Sequence, residues 1–296
     1  MQKISRRKFI GTGAIGAVAL GSLPLESFKL SSTPFNWPLS FQSWGVKDLL
    51  AKDFDNTLKK IQAIGFKGIE MCSPEGYKFS GFGSLTKLTA SELRKKIEDA
   101  GLFCKTCHFQ QQEVTGDALP KTIEWAKELG LQNIVLAAAA LGEDATYDQW
   151  NEVVGKLNES ALKIKDAGLQ FVYHNHTIGP EINGEQLYDI LMRLFDPKVV
   201  KMQFQIACIS EGFDVVEYIK KYSGRYISLH MHDWDPEKKK IVPLGKGIVD
   251  WKKLLLTAKE SGIAEYGMIL ELESRPPDDP VQDLAVSYSY LDTLGL

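Results

Sequence analysis

One phrase repeats along this chain and limits what it can fold into. An amphipathic run ends in glycine, and an apolar segment follows at once: QAIGFKGIEM, EDAGLFCKTCHF, KELGLQNIVLA, KDAGLQFVYH and KESGIAEYGMILELE. Gly65, Gly101, Gly130, Gly168 and Gly262 fit the position just past a helix end, where left-handed backbone is needed. The segments after them are dense in Val, Ile, Leu and Phe, as strands buried on both faces are. Eight candidate strands begin near Leu39, Gly68, Leu102, Asn133, Leu169, Val199, Tyr226 and Tyr266. Helical patterns separate them, from DFDNTLKKIQAI to VQDLAVSYSYLDTL. Ser91 and Asp148 stand near two of the helix starts without completing a tidy capping pattern. Eight alternating units over about 260 residues predict an α/β fold, a single (β/α)8 TIM barrel. A doubly wound open sheet usually has fewer strands and a glycine-rich first turn. No G-x-G-x-x-G follows the first strand here.

Composition removes the other classes. With 44% hydrophobic and 25% charged residues and only 12 Pro, the chain is neither collagen-like, low-complexity nor mostly disordered. Its 296 residues are enough to bury a barrel core. A formal net charge of -3 offers no basic surface for nucleic acid. The four cysteines are too few for a disulfide-stapled scaffold. Cys104 and Cys107 form a C-x-x-C, but they fall in a predicted strand, where side chains three apart point to opposite faces. That spacing argues against a redox pair.

The N-terminus reads as an address. A basic start precedes an apolar run from Phe9 to Leu23, too short for a comfortable transmembrane helix and suited to a secretory signal. Residues 1–32 carry a net +4, which leaves -7 on the rest of a chain whose total is -3. Ser5-Arg6-Arg7-Lys8-Phe9-Ile10 resembles a twin-arginine (Tat) export signal. The expected organisation is a signal peptide and linker over 1–34 and a barrel over 35–296. The resemblance implies export to the periplasm through the Tat pathway, with no membrane span left in the mature protein.

In a barrel of this kind the chemistry sits where strands end. The chain has five histidines, and His108, His174, His176, His230 and His232 all fall at or just past a predicted strand end. Glu70, Asp233, Glu271 and Glu273 share that position. Such a convergence of ligand-type and proton-transfer groups predicts a site. In VYHNH, His174 and His176 alternate, so they share a face; in LHMHDWD, His230 and His232 do the same. Neutral imidazole suits borderline divalent metals. In ILELES, Glu271 begins inside an apolar strand, which is costly unless the carboxylate is paired or metal-bound. Trp44 offers a stacking wall for a sugar ring, although a lone Trp is more often core. Lys246, in LGKGIVDW, offers a contact to an anionic or hydroxylated ligand, without the form of a phosphate loop.

Taken in order, GIEM, CHF, YHNH, the strand from Lys201 to Cys208, HMHD, GKGIVDW and ILELE resemble the xylose isomerase-like TIM-barrel superfamily, specifically its sugar phosphate isomerase/epimerase members. The resemblance spans roughly residues 36–294. It implies one divalent metal held by a Glu, an Asp, a His and a Glu at four strand ends. His230 and Glu271 match the last two of these. His174 stands where many members have the first Glu, and Gln205 where many have Asp. The ligand set His174, Gln205, His230 and Glu271 therefore carries one negative charge instead of three. That disfavours hard ions and suits Zn, Co or Fe, with Mn also admissible.

The implied chemistry is proton transfer beside a carbonyl through an enediolate. Glu271 and His174 would exchange the proton, and His230 with the metal would polarise the carbonyl. Trp44, Glu70, His108, His176 and Lys246 would orient hydroxyls. The substrate is expected to be a small-molecule carbohydrate, a keto sugar or a derivative, and an oligomer is compatible with the motifs. Two other readings follow from the same residues: a keto-sugar or keto-inositol lyase in which the enediolate ejects a β-substituent, and a metal-free sugar-binding relative. A DNA-repair role shares the fold, but export and an acidic mature chain oppose it.

Overall fold

The helices start and stop where side chains can satisfy their free backbone groups. Helix α1 (Phe54–Ile64) is capped by Asp53 accepting from the Asn56 amide. Helix α2 (Ala90–Asp99) opens on a reciprocal capping box between Thr89 and Glu92, and α4 (Tyr147–Asp166) on one between Thr146 and Gln149. These threonines, not Ser91 or Asp148, are the caps. Helices α3 (Leu119–Leu129), α5 (Leu187–Leu194), α6 (Val215–Lys221), α7 (Trp251–Glu260) and α8 (Pro280–Thr293) complete the set that alternates with the strands. The glycines read as helix ends, Gly65, Gly101, Gly130, Gly168 and Gly262, all have positive φ.

In this computed structural model the described residues are 37–139, 141–142, 144–272 and 279–295. The export signal expected over 1–34, and Glu273, lie outside them. Strands β1 (Ser40–Gln42), β2 (Gly68–Cys72), β3 (Thr106–Phe109), β4 (Asn133–Leu136), β5 (Gln170–His174), β6 (Val200–Gln205), β7 (Tyr226–Met231) and β8 (Met268–Leu270) close into one barrel. Each pairs parallel with its sequence neighbours, and β8 returns to β1 through Ser40 opposite Ile269. The predicted (β/α)8 barrel is the observed fold. No helix among the described residues is long and apolar enough to cross a membrane.

The outward strand faces pack on the helices. Phe41, Phe66, Phe109, Phe171, Phe204 and Trp251 are fully or almost fully buried in that layer. The inward face is unusual. Instead of the bulky aliphatic layers common inside such barrels, it presents Gln42, Glu70, Thr106, His108, Gln203, Gln205, Ser228 and His230, all buried. An irregularity between Met202 and Gln203 sets Gln203 opposite Ser228 and Gln205 opposite His230.

Asp233 explains the loop after β7. Its carboxylate accepts from the amides of Trp234, Gly245 and Val249 and from the Trp251 indole (2.9 Å). A Cβ on Gly247 would lie 2.2 Å from Asp233 Oδ1, so only glycine fits there. The GKGIVDW motif is thus in part a folded loop closed around one carboxylate.

All four cysteines are free and buried. Burial pushes the Cys104 thiol up to about 12 and the thiols of Cys72, Cys107 and Cys208 up as well. Cys104 and Cys107 point to separate backbone carbonyls, those of Thr106 and His108. The folded protein should therefore show no fast-reacting thiol toward Ellman's reagent at pH 8, and four after unfolding in guanidinium. A fast-reacting pair in the folded state would contradict this arrangement.

A buried histidine–carboxylate cluster in the barrel

Gln203 on β6 contacts His108 on β3 and Glu70 on β2, neither of which neighbours β6 in the sheet. Only the barrel interior can bring them together. Glu70 is the centre of the cluster and is 0% exposed. Its Oε2 accepts from Gln42 Nε2 (2.8 Å) and His230 Nε2 (2.5 Å). Its Oε1 accepts from Gln203 Nε2 (2.8 Å) and from the Thr106 hydroxyl. Gln42 is held in turn, since its Oε1 accepts from the Ser43 hydroxyl and the Trp44 amide.

His230 lies between two carboxylates. Its Nδ1 is 2.9 Å from Glu271 Oε2, which also accepts from Gln205 Nε2 at 2.5 Å. Burial alone would lower the His230 pKa, but Glu271 and Glu70 reverse this and carry it to about 10. Without a metal the ring therefore keeps a second proton more tightly than a free imidazole does, and a bound ion would replace that proton on one nitrogen, facing the carboxylate there. The same contacts act on the acids. Burial favours neutral Glu70, yet His108 and His230 hold it well below the usual carboxylate range. Burial raises Glu271 too, and His230 brings it down to about 2.

His174, at the end of β5, has the opposite character. Its ring centroid lies 4.5 Å from that of His230 and 5.0 Å from that of His108. Both its ring nitrogens are buried without a partner among the described residues. Burial, with His230, His176 and His108 nearby, pushes its pKa well below the ordinary value, so it is neutral. Gln205 Oε1 is also buried and unpartnered. His232 is buried with an unpartnered Nδ1, and burial brings its pKa to about 4.

These orphaned atoms test whether a metal fits. One ligand nitrogen each from His108, His174 and His230 can lie within 4.8 Å of the others. Gln205 Oε1 and the Glu271 carboxylate flank that triad through His230. A set of imidazoles with one carboxylate suits borderline divalent ions. The residues fit such an ion.

The structure thus gathers His174, Gln205, His230 and Glu271, and it adds His108, which the sequence suggested as a hydroxyl contact. Glu70 was expected to orient substrate hydroxyls as well. It lies instead beneath the histidines with its lone pairs committed. Trp44 and His176 stand at the strand-end face, half-buried and exposed respectively. Trp44 packs edge-on against Tyr77, with Lys47 Nζ 5.1 Å from its ring centroid. Lys246 is exposed in a groove against α8 lined by Gln282, Val286 and Tyr290, and no cluster residue lines that groove. Four members were missed from sequence: Gln42, Thr106, Gln203 and Ser228. The signal was a polar side chain two positions from another in an apolar strand, as in Thr106/His108, Gln203/Gln205 and Ser228/His230.

A family model described as xylose isomerase-like TIM barrel matches residues 58–291. An inosose dehydratase of Clostridium botulinum (strain Alaska E43 / Type E3) is 31% identical over 215 residues, covering 68% of this chain and 70% of that protein. A sugar phosphate isomerase/epimerase from Parabacteroides distasonis ATCC 8503 superposes with a TM-score of 0.70 at 22% identity, covering 90% of this chain and 96% of that one. The IOLI protein, solved with a bound zinc atom, superposes with a TM-score of 0.64 at 14% identity, covering 87% and 97%.

Removing the central carboxylate tests the electrostatic account. Glu70→Ala leaves a buried imidazolium with one partner and two donors, Gln42 Nε2 and the Thr106 hydroxyl, with none. It should lower the unfolding free energy by about 3–5 kcal/mol in urea titrations. A loss under about 1 kcal/mol would mean that Glu70 is not what holds the cluster.

Proposed function

The chain belongs to the xylose isomerase-like TIM-barrel family, and from that premise we propose that it is an enzyme that moves a proton on a carbon beside a carbonyl, isomerising or epimerising a keto sugar. The observation that carries this reading is the contrast between two neighbours of His230: Glu271, held as an anion, and His174, neutral with both ring nitrogens unpartnered. A carboxylate and a neutral imidazole on opposite sides of a bound carbon can serve as its two proton carriers.

In this reading His108 and His230 would hold a divalent ion, with Glu271 and Gln205 beside them, and His174 keeps a ring nitrogen free for proton transfer. The ion would supply Lewis acidity toward the substrate carbonyl oxygen. Glu271 takes the proton from the carbon next to that carbonyl onto a carboxylate oxygen. His174 takes the proton of the adjacent substrate hydroxyl onto a ring nitrogen and delivers it to the neighbouring carbon, or to the opposite face of the same carbon, while Glu271 passes its own proton to a substrate oxygen, so both groups end as they began. Gln205, hydrogen-bonded to Glu271, fixes the carboxylate's orientation. His230 stabilises negative charge on Glu271, and Glu70 keeps His230 in place. The buried positions of these groups limit water. Trp44 and His176, at the open end, are placed to contact the sugar's remaining hydroxyls.

A second reading has specific support. The relative from Clostridium botulinum is named inosose dehydratase, and the same enediolate intermediate can expel a β-hydroxyl as water. A panel of ketoses and keto-inositols incubated in D2O separates the readings. Isomerisation predicts deuterium at a carbon next to the carbonyl with no loss of water. Dehydration predicts loss of one water and a conjugated product. Glu271→Gln should reduce either turnover by at least about a hundredfold, as expected for loss of a general base. No exchange and no elimination with any member of the panel, or near-normal rates in Glu271→Gln, would contradict the proton-transfer assignment.

A further inference from the structure

His108 has two ring nitrogens, and the structure determines which one carries the proton. Its Nε2 is 2.7 Å from Gln203 Oε1 and 3.2 Å from Glu70 Oε2. The Glu70 oxygen is an acceptor in any case; the Gln203 atom is one only with its amide oxygen toward His108, and the surroundings of Gln203 require that orientation. Gln203 Nε2 lies 2.8 Å from Glu70 Oε1 and 3.0 Å from Ser228 Oγ. Flipping the amide would turn its oxygen against a carboxylate oxygen and its NH2 toward the histidine nitrogen. An NH2 group beside a carboxylate is the favourable arrangement.

Glu70 itself has little left to offer His108. A carboxylate has about four lone-pair sites. Gln42 and His230 occupy two on Oε2, and Thr106 and Gln203 two on Oε1. The uncommitted acceptor facing His108 Nε2 is therefore Gln203 Oε1. Neither contact involves the Nδ1 of His108.

We propose that Gln203 is a positioning residue that fixes His108 as its Nε2–H tautomer and so leaves Nδ1 as the nitrogen His108 offers to a metal ion. The first half stands on hydrogen bonds alone. The second half rests on reading the cluster as a metal site. Outer partners of this kind set which histidine nitrogen is available, and losing one commonly weakens metal affinity about 10–100-fold. The chain of contacts also explains why a glutamine, and not an aliphatic residue, occupies this inward position of β6. It must donate to Glu70 and accept from His108 at once.

The experiment is 15N NMR of histidine-labelled protein without metal, with the His108 resonances assigned by their loss in His108→Gln. The expected wild-type spectrum shows His108 protonated on Nε2 with a bare Nδ1. In Gln203→Met, of similar length but with no acceptor, the Nδ1–H form should appear. Zinc alone, titrated by calorimetry, should then bind about 10–100-fold more weakly. Thr106→Val removes one hydrogen bond from Glu70 and leaves the acceptor of His108 intact, so it should keep the wild-type tautomer. A wild-type proton on Nδ1 overturns the proposal, and that measurement needs no variant to fold. An unchanged tautomer in Gln203→Met, or the same change in Thr106→Val, overturns it too. If the wild type takes up no zinc yet carries its proton on Nε2, the metal reading fails while the tautomer assignment stands.

Discussion

The barrel interior is organised around one buried negative charge. A carboxylate removed from water costs several kcal/mol unless it is matched by charge and hydrogen bonds. Glu70, with no exposed surface, is matched on both oxygens. Its donors come from β1, β3, β6 and β7, so satisfying one side chain of β2 ties together five of the eight barrel strands. It also fixes the charge of His230, and through His230 that of Glu271. The ordinary aliphatic filling of such a barrel could not do this. The polar interior follows from placing Glu70 there, because each group that satisfies it must itself be oriented, as Ser43 and the Trp44 amide orient Gln42.

This arrangement changes the electrostatic expectation drawn from the ligand set. Counting His174, Gln205, His230 and Glu271 alone gives a single negative charge. The structure puts Glu70 2.5 Å from His230, so two carboxylates face one imidazolium. The two carboxylates give the buried cluster more negative charge than the count of direct ligands, which favours a cation. At the same time the free Oε1 of Gln205 supplies a neutral donor. The combination is soft enough for zinc-like ions and anionic enough to hold them.

The fold was legible because its period is long and repeated. Each helix–glycine–strand phrase gave the same local answer, and the glycines marked turns that only they tolerate. Both of these helices begin where their patterns do, at Ala90 and Tyr147, but their caps, Thr89 and Thr146, were not picked out because they stand just before the apolar period that drew attention. Histidines and acids at strand ends were legible as a cluster for a similar reason, since strand polarity sends all of them to one face of the barrel. What was not legible was depth. Glu70 and His108 read like rim residues, yet they meet partners from across the barrel, and a contact between β3 and β6 leaves no trace in local spacing. Lys246 shows the converse. Its motif sits in the right loop, but that loop is built around Asp233, and the lysine faces outward toward α8.

The central claim is that this anionic histidine cluster holds a divalent metal. Elemental analysis of the purified wild-type protein, beside Glu271→Gln, tests it most directly. The account predicts about one equivalent of a transition metal in the wild type, as for a single His-rich site, and a marked loss in the variant. A wild-type protein that stays metal-free after incubation with zinc, cobalt, manganese and iron would contradict it.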